Sequence, residues 1–452
     1  MRYTLTFLIF LRVFFPCSAQ NAESAGGGEA PVLEQNNCLT EWQRNSIRQM
    51  LDSNLASCTT QGMLPEKFPS RESLLALDWP LRKSPNLDYN SYYLLANFVD
   101  HSNTNSVLDY HCSNRTYDGH KGIDITTWPF PWYLYENDYI EVIAAAAGII
   151  IGKNDGNFDQ NCSWNGSGNW NAVYVKHADG SIAWYGHLKS NSLTNKSVGA
   201  QVAKGEYLGL LASSGFSSSP HLHLELYDAS NKLIDPYAGS CNTLNASSWW
   251  ASQPPFREPT LNTLKTHNSE PIHGCPGINE NPHFANAFAP GQIIYFAAYY
   301  HDQLLGDVST WRIRRPNNTI WQTWNHTSNN TYSASWWWWS FFLPPGGPFG
   351  TWIVEIDYQG KTQQHAFQYG DVSSLPNTHL EPTRVFPNPV SQTLFVVSEP
   401  THHMTLHDAT GNLLVALIEE NKLDCSNLPN GVYYLRIYTS TKYHTYKFVV
   451  LH

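Results

Sequence analysis

The run Pro220-His-Leu-His-Leu-Glu-Leu226 alternates polar and apolar residues with a period of two. A β-strand sends successive side chains to opposite faces, so His221 and His223 share one face and the leucines bury the other. The same short, alternating pattern recurs downstream in Gln292–Tyr300, Thr310–Arg315, Thr319–Trp324 and Thr351–Tyr358. These runs are rich in aromatic and β-branched residues and are separated by turn residues, which predicts an all-β sandwich over about residues 245–370. A helical period is seen only near the start. Leu39–Leu51 spaces its apolar residues at helix-like intervals, with Thr40 placed to cap the first turn. Ahead of it, Ala25–Glu29 is glycine-rich and reads as flexible.

Trp336–Trp339 cannot put every ring on one strand face. Packing from both faces is the expectation; rings left exposed would suit sugars or an interface. Met1-Arg2, the mostly apolar Leu5–Leu11 and the small residues ending at Ala19 read as a secretory signal cleaved before Gln20. No later segment offers eighteen consecutive apolar residues, so no membrane span is expected in the mature chain. Charged residues are 14% of the chain, low for globular proteins. The formal net charge of −10 argues against nucleic-acid binding.

Candidate chemistry sits in three places: His120-Lys-Gly-Ile-Asp124, Tyr185-Gly-His187 and His221-Leu-His223. Two neutral imidazoles and a carboxylate suit a divalent zinc with one position left for water. The step from His120 to Asp124 permits convergence by one helical turn or along an extended segment bent at Gly122. His177, beside Asp179-Gly180, reads as a surface residue at a hairpin turn, and His111, His402 and His403 as ordinary polar residues.

The three motifs, in this order and with Val202–Gly209 before the last, resemble the M23 (lysostaphin/LytM-like) zinc metallopeptidases. By that resemblance His120, Asp124 and His223 hold Zn2+, while His187 and His221 act as catalytic histidines beside the water that the metal activates. The reaction implied is endopeptidase cleavage of peptidoglycan cross-bridges or of Gly-rich extracellular proteins. Val385-Phe-Pro-Asn-Pro389, Asp408–Gly411, Leu428–Ile437 and Tyr446–Val450 resemble the C-terminal sorting domain of the type IX secretion system of Bacteroidota. This implies contact with that machinery and a secreted or surface location.

The expected organisation is a signal peptide (1–19), a helical N-terminal segment (20–72), an M23-like domain (73–240), a Trp-rich β-sandwich (241–378) and a small β-sandwich sorting domain (379–452). The fold class is mainly β, with antiparallel sheet in the peptidase region. The helical segment reads as a lid or packing element, or alternatively as a pro-segment that blocks the metal. With Cys17 leaving in the signal and Cys425 in the tail, six cysteines suit an oxidising compartment. Sequence proximity pairs Cys38 with Cys58, Cys112 with Cys162, and Cys241 with Cys275. A rival reading is a surface adhesin or glycan-binding protein that uses the Trp-rich domain, with the peptidase fold as scaffold.

Overall fold

A computed structural model describes residues 20–21, 26–29, 38–63, 75–162, 168–275, 280–370, 384–386, 388–397, 403–408, 413–418, 422–438 and 443–452. The expected signal segment and His402 lie outside them. The chain is mainly β, in two compact units, residues 1–370 and 371–452. Among the described residues no helix is long and apolar enough to cross a membrane.

The first unit is built on an eight-stranded antiparallel sheet. Its strands are β1 (Tyr93–Asn97), β2 (Ile123–Thr127), β3 (Gly148–Asn154), β4 (Ala172–Lys176), β5 (Ile182–Gly186), β6 (Gln201–Val202), β7 (His221–Tyr227) and β8 (Leu233–Ile234). They run in the order β6-β3-β4-β5-β7-β2-β1, with β8 pairing β7. Alternation along β7 sends Leu222, Leu224 and Leu226 into the main core with Ile123, Ile125, Val173, Val175 and Tyr185. A three-stranded sheet of Leu81–Lys83, Ile140–Ile143 and Tyr207–Leu210 adds Leu81, Val142 and Leu208 to that core.

The opposite face is covered by helix α1 (Glu41–Thr60). Thr40 caps it as expected, in a reciprocal capping box with Gln43. Ile47 and Leu51 pack on Ile151, Tyr174, Trp184 and Tyr227 of the sheet. Asn54 donates to the Ile151 carbonyl at 2.9 Å.

The Trp-rich region is a sandwich of a six-stranded and a four-stranded sheet around a core that includes Trp311, Trp324 and Trp352. Its tryptophan run is packed from both faces. Trp337 and Trp339 enter the sandwich core, while Trp338, with Trp336 beside it, packs against Leu94, Trp128 and Phe130 beside the eight-stranded sheet. Contrary to its flexible reading, Gly26–Glu29 is a strand paired to Ala334–Phe342. Glycine permits this close approach, because a Cβ on Gly26 would lie 2.4 Å from the Trp338 indole nitrogen. The second unit holds a three-stranded and a four-stranded sheet with Leu394, Met404, Cys425, Leu435 and Phe448 between them.

The disulfides differ from the proximity pairing. Cys112 bonds Cys241 and Cys162 bonds Cys275, while Cys38, Cys58 and Cys425 are free and buried. Cys38 precedes α1 and Cys58 lies in its last turn, so the helix holds them roughly 25–30 Å apart. The true partners are more than a hundred residues apart in sequence and are joined by tertiary folding. His177 does sit at the β4–β5 turn, but it is fully buried there and bonded through Nδ1 to the Ala147 carbonyl at 2.9 Å.

Candidate metal centre

Strand register brings the three motifs together on the face that α1 covers. His223 lies opposite Asp124 of β2 on one side and Gly186 of β5 on the other. His120 sits in the turn before β2, so the four-residue step to Asp124 is taken by extended chain and not by helix. Gly122 makes the approach possible: a Cβ there would lie 2.7 Å from the His223 imidazole and 2.8 Å from the Leu224 carbonyl. His187 leaves β5 with φ at 65°, a left-handed backbone that a non-glycine residue adopts at a cost.

Three acceptor atoms converge. His120 Nε2 is 3.2 Å from Asp124 Oδ1 and 3.3 Å from His223 Nδ1, and His223 Nδ1 is 2.8 Å from Asp124 Oδ1. The opposite atom of each ligand is already engaged. His120 Nδ1 donates to the Phe98 carbonyl at 2.7 Å, and His223 Nε2 faces Glu225 at 3.0 Å. Asn97 donates to Asp124 Oδ2 at 3.0 Å. A carbonyl can only accept, so the His120 tautomer leaves a lone pair on Nε2. With those outer atoms engaged, His120 Nε2, His223 Nδ1 and Asp124 Oδ1 offer three ligand atoms to one point, and their outer partners are the ones expected around a metal site. The donor set therefore fits zinc.

His187 and His221 adjoin this group, with ring centroids 4.4 Å apart. Each donates Nδ1–H to a carbonyl, of Ser214 at 2.5 Å and of Ser219 at 2.9 Å. His221 Nε2 then lies 3.7 Å from Asp124, and His187 Nε2, fully buried, has no hydrogen-bond partner among the described residues. Burial, reinforced by His221 and His223, holds the His187 pKa well below the ordinary imidazole value. Burial also lowers that of His221, with Asp124 opposing. Burial works to raise the Asp124 carboxyl, but His120 and His223 outweigh it and hold it well below the usual range.

Neighbours that sequence reading passed over complete the site. Glu225 continues the His221, His223 face of β7, a placement the period-two pattern already contained. Its carboxylate takes Arg44 of α1 at 2.7 Å and the Tyr227 hydroxyl at 2.5 Å. Asn97 and Cys38 carried no local signal. Cys38, expected to pair with Cys58, is a free thiol whose sulfur lies 3.3 Å from His223 Nδ1.

The sheet gathers histidines and an aspartate from these three motifs into one buried group. Residues 118–236 match Peptidase family M23, and residues 384–451 match the Secretion system C-terminal sorting domain. The chain thus carries an M23 peptidase domain and a type IX sorting domain, the latter marking a secreted or cell-surface protein. The cell division protein DipM of Caulobacter vibrioides is 45% identical over 56 residues, which cover 12% of this chain and 9% of DipM's length. Among solved structures, the catalytic domain of the prophage-encoded M23 protein EnpA from Enterococcus faecalis is 20% identical. The match covers 36% of this chain and 96% of that one, with a TM-score of 0.22. The catalytic domain of lysostaphin from Staphylococcus simulans is 24% identical, with 26% of this chain and 76% of that one covered and a TM-score of 0.18.

Proposed function

We propose that this chain is a secreted zinc endopeptidase, with peptidoglycan cross-bridges or Gly-rich extracellular proteins as substrates. The observation that carries the reading is the convergence of His120 Nε2, Asp124 Oδ1 and His223 Nδ1, each anchored from behind. Zinc held by these three supplies Lewis acidity, activating a water and polarising the scissile carbonyl. The remaining work falls to the histidines. His221 and His187, fixed through Nδ1 by Ser219 and Ser214, each keep an Nε2 lone pair for use. In this reading they take the proton given up by the attacking water, return it to the leaving amine, and stabilise charge on the carbonyl oxygen. Their lowered pKa values keep them neutral and able to accept at neutral pH.

The substrate choice rests on the family match, on DipM's role in cell division, and on the sorting domain. Sorting to the outside directs the enzyme to foreign bacterial walls or to extracellular proteins, since the cell's own wall lies in the periplasm.

The test compares two variants by metal content and by hydrolysis of purified peptidoglycan and protein substrates, with the cleaved bonds identified by mass. Both the full chain and the form recovered from the medium are assayed. His120→Ala is expected to lose zinc and hydrolysis together. His221→Ala is expected to keep about one zinc per chain while hydrolysis falls on the order of a hundredfold to ten-thousandfold. Near-normal hydrolysis in either variant would overturn the mechanism.

A further inference from the structure

The five candidate residues are at most 5% exposed. Cys38-Leu39-Thr40 and α1 cover the sheet face on which these residues lie, and Cys38 reaches the centre itself. Cys38 Sγ is 3.3 Å from His223 Nδ1, the nitrogen that also meets Asp124 and His120. It forms a second metal-compatible group with His187 and His223, so His223 is the vertex common to both groups. The His187 Nε2 atom beside it is buried and without a hydrogen-bond partner. The Tyr117 hydroxyl donates to the sulfur at 3.8 Å, while its ring stacks on His120 with centroids 4.2 Å apart.

The thiol is held there by built structure. Arg44 Nη1 donates to the carbonyl of Leu39, the residue next to Cys38, at 2.7 Å, and the same guanidinium pairs with Glu225, which anchors His223 from behind. Gln43 reaches the Gly168 carbonyl at 2.5 Å. Cys38 itself is 2% exposed and free of any disulfide.

We propose that Cys38 is a thiolate ligand of the zinc held by His120, Asp124 and His223. It takes the coordination position that catalysis needs for water, so that the N-terminal segment keeps the full chain latent. This rests on the zinc reading above. Thiolate is a strong zinc donor, and Zn–S and Zn–N bonds of about 2.3 and 2.0–2.1 Å set a tetrahedral S···N edge of roughly 3.5 Å; the edge to His223 is already 3.3 Å, and metal binding would draw the sulfur toward His120 and Asp124. Coordination replaces the thiol proton with the metal, and that proton passes to solvent. Withdrawal or proteolytic loss of α1 would remove the sulfur, admit water and open the cleft in one event.

Full-length protein loaded with cobalt in place of zinc reports the sulfur directly, through thiolate-to-cobalt charge-transfer absorption in the near ultraviolet. The absorption is expected in the wild type and in Cys58→Ala and Cys425→Ala. It should be lost in Cys38→Ala, which should still bind one equivalent of cobalt. Cys38→Ser, close in size, controls for packing, and in chelator its melting temperature should match that of the wild type. As a second readout, zinc should protect Cys38 from alkylation relative to chelator-treated protein. Absorption that survives Cys38→Ala, or wild type that binds cobalt without it, overturns the ligand while leaving the peptidase reading intact. Wild type that binds no metal overturns both.

Discussion

Replacing Arg44 with methionine would remove a guanidinium that is 2% exposed and paired with the fully buried Glu225 at 2.7 Å. Methionine fills similar space without the charge, so the change isolates the ion pair. Breaking one side of a buried pair leaves the other charge uncompensated and costs about 3–5 kcal/mol. Burial pushes the Glu225 carboxyl up, and Arg44 and His223 bring it below the ordinary range. The chain can escape that penalty by releasing α1, which Ile47, Leu51, Gln43 and Asn54 still hold. The open population should therefore rise. At about 1.4 kcal/mol per tenfold, 3 kcal/mol corresponds to roughly a hundredfold. When reclosing is fast, thiol reactivity follows that population. Alkylation in chelator, mapped by peptide mass, should then accelerate at Cys38 and at Cys58 in the last turn of α1, while Cys425 in the second unit serves as the unchanged reference. Less than about tenfold acceleration at Cys38, with an unaltered melting temperature, would refute the Arg44–Glu225 pair as the clamp on α1.

Asn97→Ala removes the donor behind Asp124 Oδ2, and metal affinity measured by competition with a chromophoric chelator should fall about 10–100-fold with the fold retained. Glu280, whose carboxylate accepts from the Tyr133 amide at 2.7 Å, is pushed up to about 8 by burial. Its folded pKa lies above its unfolded one, so the stability it contributes is complete below about pH 4.5 and is lost as pH rises through 8. Melting temperature recorded across that window should decline in the wild type, by the equivalent of up to roughly 5 kcal/mol, and Glu280→Gln should flatten that part of the decline. An unchanged slope in Glu280→Gln would assign the pH dependence elsewhere.

Much of this protein is determined locally and is legible in the chain. A strand repeats every two residues, so the sequence around His221 already placed His221, His223 and Glu225 on one face and the leucines on the other. The Thr40 cap and the short aromatic strands are likewise properties of a few neighbouring residues. What only the tertiary structure decided are the contacts between segments distant along the chain. Cys38 meets His223 across 185 residues, Arg44 meets Glu225 across 181, and Cys112 finds Cys241 across 129. None of these follows from spacing, because they depend on which sheet face α1 lies upon and on how the loops around the sheet cross. Proximity in sequence misled for the same reason: α1 is a rigid rod roughly 30 Å long, and it holds Cys38 and Cys58 apart while folding carries Cys38 to His223.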